Sequence, residues 1–168
     1  MRILTVLLLA LLPATARAQT PPQPAAHPIY VMRHLNTPAG EPDPDLLPEG
    51  RAAAIALADL METDPFQGAR RPVAIYVSDY KRTRETAAPL AARLALNVTL
   101  YDPRDTAGLL ARVRAEPGPV LIVGHSNTVP DIVAALGGTR PAPLVHEDFG
   151  DLWVVEPGGA TLKLRLVR

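Results

Sequence analysis

The chain has no cysteine among its 168 residues, which removes disulfides, thiolate nucleophiles and thiolate metal sites together. It has no excess charge either: 17 basic residues balance 17 acidic ones, and no basic stripe of the kind that nucleic acid requires is present. His-x-x-x-His and similar ligand spacings are missing, so no metal is expected. There is no internal repeat or heptad array, and no apolar run long enough for a comfortable membrane span. The one candidate run ends at Leu12. With Met1-Arg2 ahead of it and Ala16-Arg17-Ala18 behind it, it reads instead as a signal peptide over residues 1–18; an uncleaved anchor is the alternative. Cleavage after Ala18 would leave 150 residues with 15 basic against 17 acidic, which is one domain with room for a core. The expected mature protein is secreted or periplasmic, without stable membrane association. Residues 19–28, rich in Pro and Ala, form a leader before a domain over 29–168.

What is present is a set of short apolar runs, each followed by residues that carry chemistry. Pro28-Ile-Tyr-Val-Met leads to Arg33-His34, Val73-Ala-Ile-Tyr-Val leads to Ser78-Asp79-Tyr80-Lys81-Arg82, and Val120-Leu-Ile-Val-Gly124 leads to His125-Ser126-Asn127. Such runs read as buried parallel strands, and in open α/β sheets the carboxyl ends of the strands line the ligand crevice. Two histidines and at least two arginines thus converge on one edge. That combination makes an anion pocket with a possible nucleophile inside it.

Between the runs, Leu35 to Pro48 carries four prolines and Gly40, so it reads as a loop over the pocket mouth, with Pro48 as the first residue of a helix to about Met61. A second helix to Leu94 follows Ser78 or Asp79 as cap. A short strand over Asn97 to Leu100 and a helix from about Asp105 to Ala115 come next. The last helix begins just after Ser126, with Asn127 or Thr128 as cap, and stops at Gly137-Gly138. Asp151 to Glu156, the turn Pro157-Gly158-Gly159, and the alternation of Leu162, Leu164 and Leu166 with Lys163 and Arg165 predict an edge hairpin whose last strand is half-buried. The expected fold is α/β, a three-layer α/β/α sandwich with a mostly parallel central sheet and a C-terminal edge hairpin.

These segments resemble the histidine phosphatase superfamily, which includes the phosphoglycerate mutase-like phosphatases. Arg33-His34-Leu35-Asn36-Thr37 stands where that family has Arg-His-Gly-x-Thr, Ser78 to Thr86 matches its Ser-x-x-x-Arg-(Ala/Thr)-x-x-Thr, and Gly124-His125-Ser126 matches its Gly-His-(Ser/Thr). Asp45-Leu46-Leu47-Pro48-Glu49-Gly50 resembles its Leu-Thr-x-x-Gly, with Leu47 where threonine is usual. Leu35 replaces a small residue beside the phosphate loop, which bears on substrate shape. The resemblance implies that His34 is transiently phosphorylated and then hydrolysed by water.

Residue chemistry agrees. Arg33 and Arg82 keep their charge and offer a planar fork to phosphate oxygens. His34 attacks if it is neutral, and nearby arginines favour that form. His125 is expected to place extra positive charge on the phosphoryl group. Asn36, Thr37 and Ser126 are candidate substrate contacts, and Asp102 or Asp105 the candidate general acid, although neither sits in a matched motif; Glu41, Asp43 and Asp45 also border the mouth. If no acid is placed, good leaving groups such as phosphohistidine or aryl phosphates are favoured over alkyl esters. Lys81 and Arg84 read as solvated helix residues, His146 as a surface or structural residue, and His27 as part of the leader. Two functions stay open: an exported phosphatase acting on a small phosphorylated substrate or a cell-envelope phosphate without cofactor, and a catalytically weak phosphate- or sugar-phosphate-binding protein on the same fold.

Overall fold

The computed structural model describes residues 26–63 and 71–166; the expected signal peptide and most of the leader lie outside them. Among the described residues the elements run β1 (Ile29–Arg33), α1 (Pro48–Thr63), β2 (Ala74–Ser78), α2 (Lys81–Leu94), β3 (Val98–Tyr101), α3 (Thr106–Arg114), β4 (Val120–Gly124), α4 (Val129–Ala135), β5 (Asp151–Val155) and β6 (Thr161–Arg165). One sheet holds the strands in the order β3-β2-β4-β1-β5-β6. The β2–β3, β2–β4 and β1–β4 pairs are parallel, and β5 and β6 complete the sheet as an antiparallel hairpin.

Every residue of β1 and β4 is buried, because strand side chains alternate between faces and both faces are covered. Tyr30 and Met32 point with Leu121 and Val123 into a core filled by Leu57 of α1 and Leu90 of α2. Ile29 and Val31 point the other way, with Ile122, towards Leu109 of α3 and Ile132 of α4. This gives the three expected layers. The register sets Arg33 opposite Gly124 and Val77 opposite Val123, so the residues just after β1, β2 and β4 emerge side by side. Because β5 runs antiparallel to β1, with Leu152 opposite Met32, the loop that precedes β5 arrives at that same edge.

Several local expectations are corrected. Neither Ser78 nor Asp79 caps α2: the N-cap position is Tyr80, whose side chain makes no cap bond. Instead Asp43, from the loop after β1, accepts the Lys81 amide at 3.0 Å. The helix after His125 starts only at Val129. Thr128 holds the expected N-cap position, but its hydroxyl makes no cap bond and instead accepts the His125 amide at 3.0 Å; Pro130 in its first turn has no amide to offer a cap. Leu164 and Leu166 pack on the first core, whereas Leu162 is exposed. Leu35 is fully buried in that core beneath the loop rather than beside the phosphate site. Gly50 is required by close approach, since a Cβ there would lie 2.6 Å from the Asn36 carbonyl oxygen, pressing the first turn of α1 against the segment after His34.

Candidate active site

At the carboxyl edge a cavity of about 920 Å³ is lined by His34, Asp79, Tyr80, Arg82, Leu100, Tyr101, Asp102, Pro103, Arg104, His125, Ser126 and Asn127. The histidine rings stand 5.5 Å apart, edge to face. His34 follows β1 directly, and its amide donates to the Gly124 carbonyl at 2.9 Å. Its Nδ1 lies 2.9 Å from the Leu35 carbonyl oxygen. A carbonyl only accepts, so Nδ1 carries the proton and Nε2 keeps its lone pair. Burial, and to a smaller extent the charges of Arg33, His125 and Arg82, pull the His34 pKa from 6.5 down to about 3. Neutrality was expected from the arginines, but desolvation is the larger cause.

His125 is oriented by its neighbours in the same way. Its Nδ1 faces Arg82 Nη2 at 3.4 Å, and since a guanidinium cannot accept, Nδ1 is the acceptor. Nε2–H then donates to Ser78 Oγ at 2.7 Å, Ser78 donates to Thr83 Oγ1 at 3.3 Å, and the Thr83 hydroxyl ends the chain on the Ser78 carbonyl at 2.7 Å. Burial first, then Arg82 and Arg33, lower the His125 pKa to about 4. Without a ligand, the ring therefore carries no positive charge near neutral pH. A Cβ at Gly124 would sit 2.8 Å from Thr128 Oγ1 and 2.9 Å from the Tyr101 hydroxyl, so any side chain there would displace both hydroxyls.

The arginines differ in their commitments. Arg82 Nη1 is shared between the Pro42 carbonyl at 3.2 Å and Asp43 Oδ1 at 3.3 Å, its guanidinium lies 4.3 Å over the Tyr80 ring, and it lines the cavity. Arg33 is turned to the loop before β5: Nη1 donates to the carbonyls of Val145 at 2.7 Å, His146 at 3.1 Å and Asp148 at 3.4 Å. Its guanidinium sits 4.1 Å over Phe149, whose ring is also 5.8 Å from that of His34. Burial lowers the Arg33 pKa, and its Nε has no hydrogen-bond partner among the described residues.

Of the remaining expected residues, Ser126 lines the cavity, whereas Asn36, Thr37 and Asp105 are not among the residues that do. The Asn36 carbonyl accepts the Leu47 amide at 2.8 Å. Asp105 is the N-cap of α3, accepting the Gly108 amide at 2.8 Å, and so faces the helix rather than the cavity. Asp102 does reach the cavity, but Arg104 grips both its oxygens, at 3.0 and 2.9 Å. These bonds hold its pKa below the usual range, and it enters as a carboxylate with no proton to give. Asp79 is paired with Arg84, and Lys81 with Asp45. Among the described residues, no group of three or more His, Asp or Glu is arranged to hold a metal ion.

The motif spacing explains itself in this geometry. From one helical turn, Arg82 enters the cavity and Thr86 accepts the Leu35 amide at 3.0 Å while donating to the Arg82 carbonyl at 2.7 Å. The segment thus ties both histidine loops to α2. Tyr80, Leu100, Tyr101, Pro103, Arg104 and Phe149 were not singled out from the sequence. Tyr101, the last residue of β3, directly follows the strand predicted over Asn97 to Leu100, which ends beside the crevice; Phe149 gave no signal.

The depressed histidines have a consequence for stability. Each would take a proton below pH 6.5 in the unfolded chain, but only near pH 3 or 4 when folded. The unfolded state therefore binds more protons in that window, so their contribution to stability is fully present above 6.5 and is lost as pH falls through it. Urea midpoints should drop between about pH 7 and 5, and the double variant His34→Ala, His125→Ala should drop distinctly less. An equal fall in both proteins would show that these rings are not held neutral.

The family model of the histidine phosphatase superfamily (branch 1) matches residues 29–103. That segment includes His34 and Arg82 and stops before His125. None of the curated proteins compared matches the chain. Among solved structures, mycobacterial glucosyl-3-phosphoglycerate phosphatase in complex with VO3 superposes with a TM-score of 0.64 at 18% identity, over 83% of this chain and 98% of that one. The protein histidine phosphatase SixA complexed with tungstate gives 0.62 at 18% identity, over 83% and 97%. The candidate phosphohistidine phosphatase SixA of Agrobacterium tumefaciens gives 0.58 at 20% identity, over 82% and 94%.

Proposed function

We propose that this chain, which carries the fold of the histidine phosphatase superfamily and its sequence over residues 29–103, is an exported, metal-independent phosphatase with His34 as nucleophile. The observation that carries the reading is the pinned, neutral His34 ring: Nδ1–H is held by the Leu35 carbonyl, leaving the Nε2 lone pair for a ring that lines a cavity shared with Arg82 and His125. In the first step Nε2 bonds to phosphorus while the bond from phosphorus to the leaving atom breaks, and the electron pair departs with the leaving group. In the second, water bonds to phosphorus, the P–N bond returns its pair to Nε2, the attacking water passes a proton to the departed leaving group or to solvent, and phosphate is released.

Arg82 neutralises the oxygens of the phosphoryl group in both steps, while Arg33, which is not among the residues lining the cavity, adds its positive charge from behind His34. A bound dianion opposes both the burial and the arginine charges that lower the His125 pKa, which favours a protonated ring that hydrogen-bonds through Nδ1–H to the phosphoryl oxygens. The carboxylates that line the cavity, Asp79 and Asp102, are both paired with arginines, which favours leaving groups that depart without a proton donor. Phosphohistidine and aryl phosphates are of that kind.

The test is to recover the protein from the periplasmic or extracellular fraction of its host, sequence its N-terminus and assay it on a panel of phosphomonoesters with and without chelator. The expected result is a start near Gln19, turnover of aryl phosphates well above alkyl phosphates, and no loss with EDTA. Absence of turnover on the whole panel, with phosphate still bound, would favour a binding protein. Activity lost to EDTA and restored by a divalent ion would remove the arginine-based account.

A further inference from the structure

We infer that the wall of the cavity formed by Tyr80, Leu100 and Pro103 is a leaving-group subsite for a flat, apolar, unhydroxylated group, of the aryl or imidazole kind and not a sugar. The inference rests on the phosphatase reading above and adds what the substrate carries beyond its phosphate. The phosphoryl end of the cavity is set by His34, Arg82 and His125. About 920 Å³ is far more than a phosphate fills, so the remaining lining faces the rest of the substrate.

Within that lining Tyr80, Leu100 and Pro103 form an apolar wall, and the polar groups that flank it are already engaged. Leu100 ends β3 with its neighbour Tyr101, and at 44% exposed it is one of the few large aliphatic side chains left open to solvent. Pro103 follows in the turn before α3. The Tyr80 ring is held by the Arg82 guanidinium, 4.3 Å from its centroid, and by the edge contact with His125 at 5.0 Å. A ring fixed at two points is a stacking platform with little freedom to lose. Around it, the Tyr101 hydroxyl donates to the Val123 carbonyl at 3.4 Å, Arg104 and Asp102 bind each other, and Asp79 binds Arg84. Sugar hydroxyls placed against the wall itself would give up bonds to water without replacement, whereas an aromatic face loses nothing by leaving water. Ser126 and Asn127, the other polar lining residues, adjoin His125 and the phosphate end.

The paired Arg104 and Asp102 also argue against a strongly charged leaving group. Together they are neutral, and an added carboxylate would meet Asp102 as readily as Arg104.

The experiment compares kcat/KM for 1-naphthyl phosphate, acetyl phosphate and glucose 6-phosphate in the full mature protein, in Leu100→Asn and in Leu100→Phe. Acetyl phosphate has a good but tiny leaving group, so the naphthyl-to-acetyl ratio isolates the wall from the phosphoryl chemistry. The ratio should fall about fivefold in Leu100→Asn, as expected for part of a leucine's burial, and hold or rise in Leu100→Phe. It should fall through KM for the naphthyl ester, with phosphate inhibition as the common reference. Turnover of both activated esters with a ratio that ignores Leu100, or a preference for glucose 6-phosphate, would overturn the subsite while leaving the phosphatase intact. No turnover of any of the three would overturn the phosphatase reading itself.

Discussion

Replacing His34 by alanine should lower kcat/KM by at least about four orders of magnitude, the scale seen when a covalent nucleophile is removed. No neighbour can take over. His125, 5.5 Å away ring to ring, has both nitrogens engaged, one by Ser78 and one by Arg82, and the cavity-lining carboxylates Asp79 and Asp102 are each paired with an arginine. The fold should survive, because the variant removes only one hydrogen bond to Leu35 and one ring from the edge of the sheet. A fall in stability of about 1–2 kcal/mol is expected for a buried polar side chain so lost. A denaturation curve and steady-state kinetics on the same preparation separate the two effects. Wild-type-like turnover in a folded His34→Ala protein would remove this histidine from the chemistry.

Arg82→Ala should cost about 10²–10³ in kcat/KM, divided between KM and kcat. The guanidinium meets charge already present in the bound phosphate, which sets KM, and that charge is redistributed in the transition state, which sets kcat. Three further effects follow from its contacts. Inorganic phosphate should inhibit more weakly. Arg82→Lys should recover only part of the loss, because an ammonium restores the charge without the fork that now spans Pro42, Asp43 and His125. The His125 pKa should rise from about 4, since Arg82 is the first cause of its depression after burial. A kinetic pH profile in Arg82→Ala shifted towards higher pH is the signature. An unchanged phosphate inhibition constant would place the anion elsewhere in the cavity.

The sheet edge that carries this chemistry was readable in the chain because buried parallel strands are short apolar runs, and β1, β2 and β4 each end where such a run meets a charged or polar residue. The hairpin was readable too, from Pro157-Gly158-Gly159 and the period-two pattern around it. What escaped reading involves partners distant in sequence. Arg33 binds backbone carbonyls more than a hundred residues away, and carbonyls are common to every residue, so nothing in Val145 to Asp148 marks them. Asp43 caps α2 from another loop and takes a place that local sequence assigned to Ser78 or Asp79. Leu35 stood at a motif position where a small residue suggests a crowded phosphate loop. Its side chain is instead 0% exposed in the core beneath, a direction that cannot be counted off once the strand period ends at Arg33.

The roles of Asp102 and Asp105 show the limit of reading acids from position alone. Both lie in the turn after β3, next to the crevice, yet one is gripped by Arg104 and the other closes the first turn of α3. The grip of Arg104 on both Asp102 oxygens stabilises that carboxylate in its ionised form and makes it a poor proton donor. The contact, more than the location, decides the role, and here it directs the substrate proposal towards leaving groups that need no acid.

The central claim is that the phosphoryl group passes through His34 Nε2. Rapid-quench labelling with a radiolabelled aryl phosphate, followed by peptide mapping, measures it directly. The account predicts label on the peptide containing His34, labile to acid and stable to base, formed within the first turnover and absent in His34→Ala. Label on another residue, or full turnover with no labelled protein at any quench time, would contradict it.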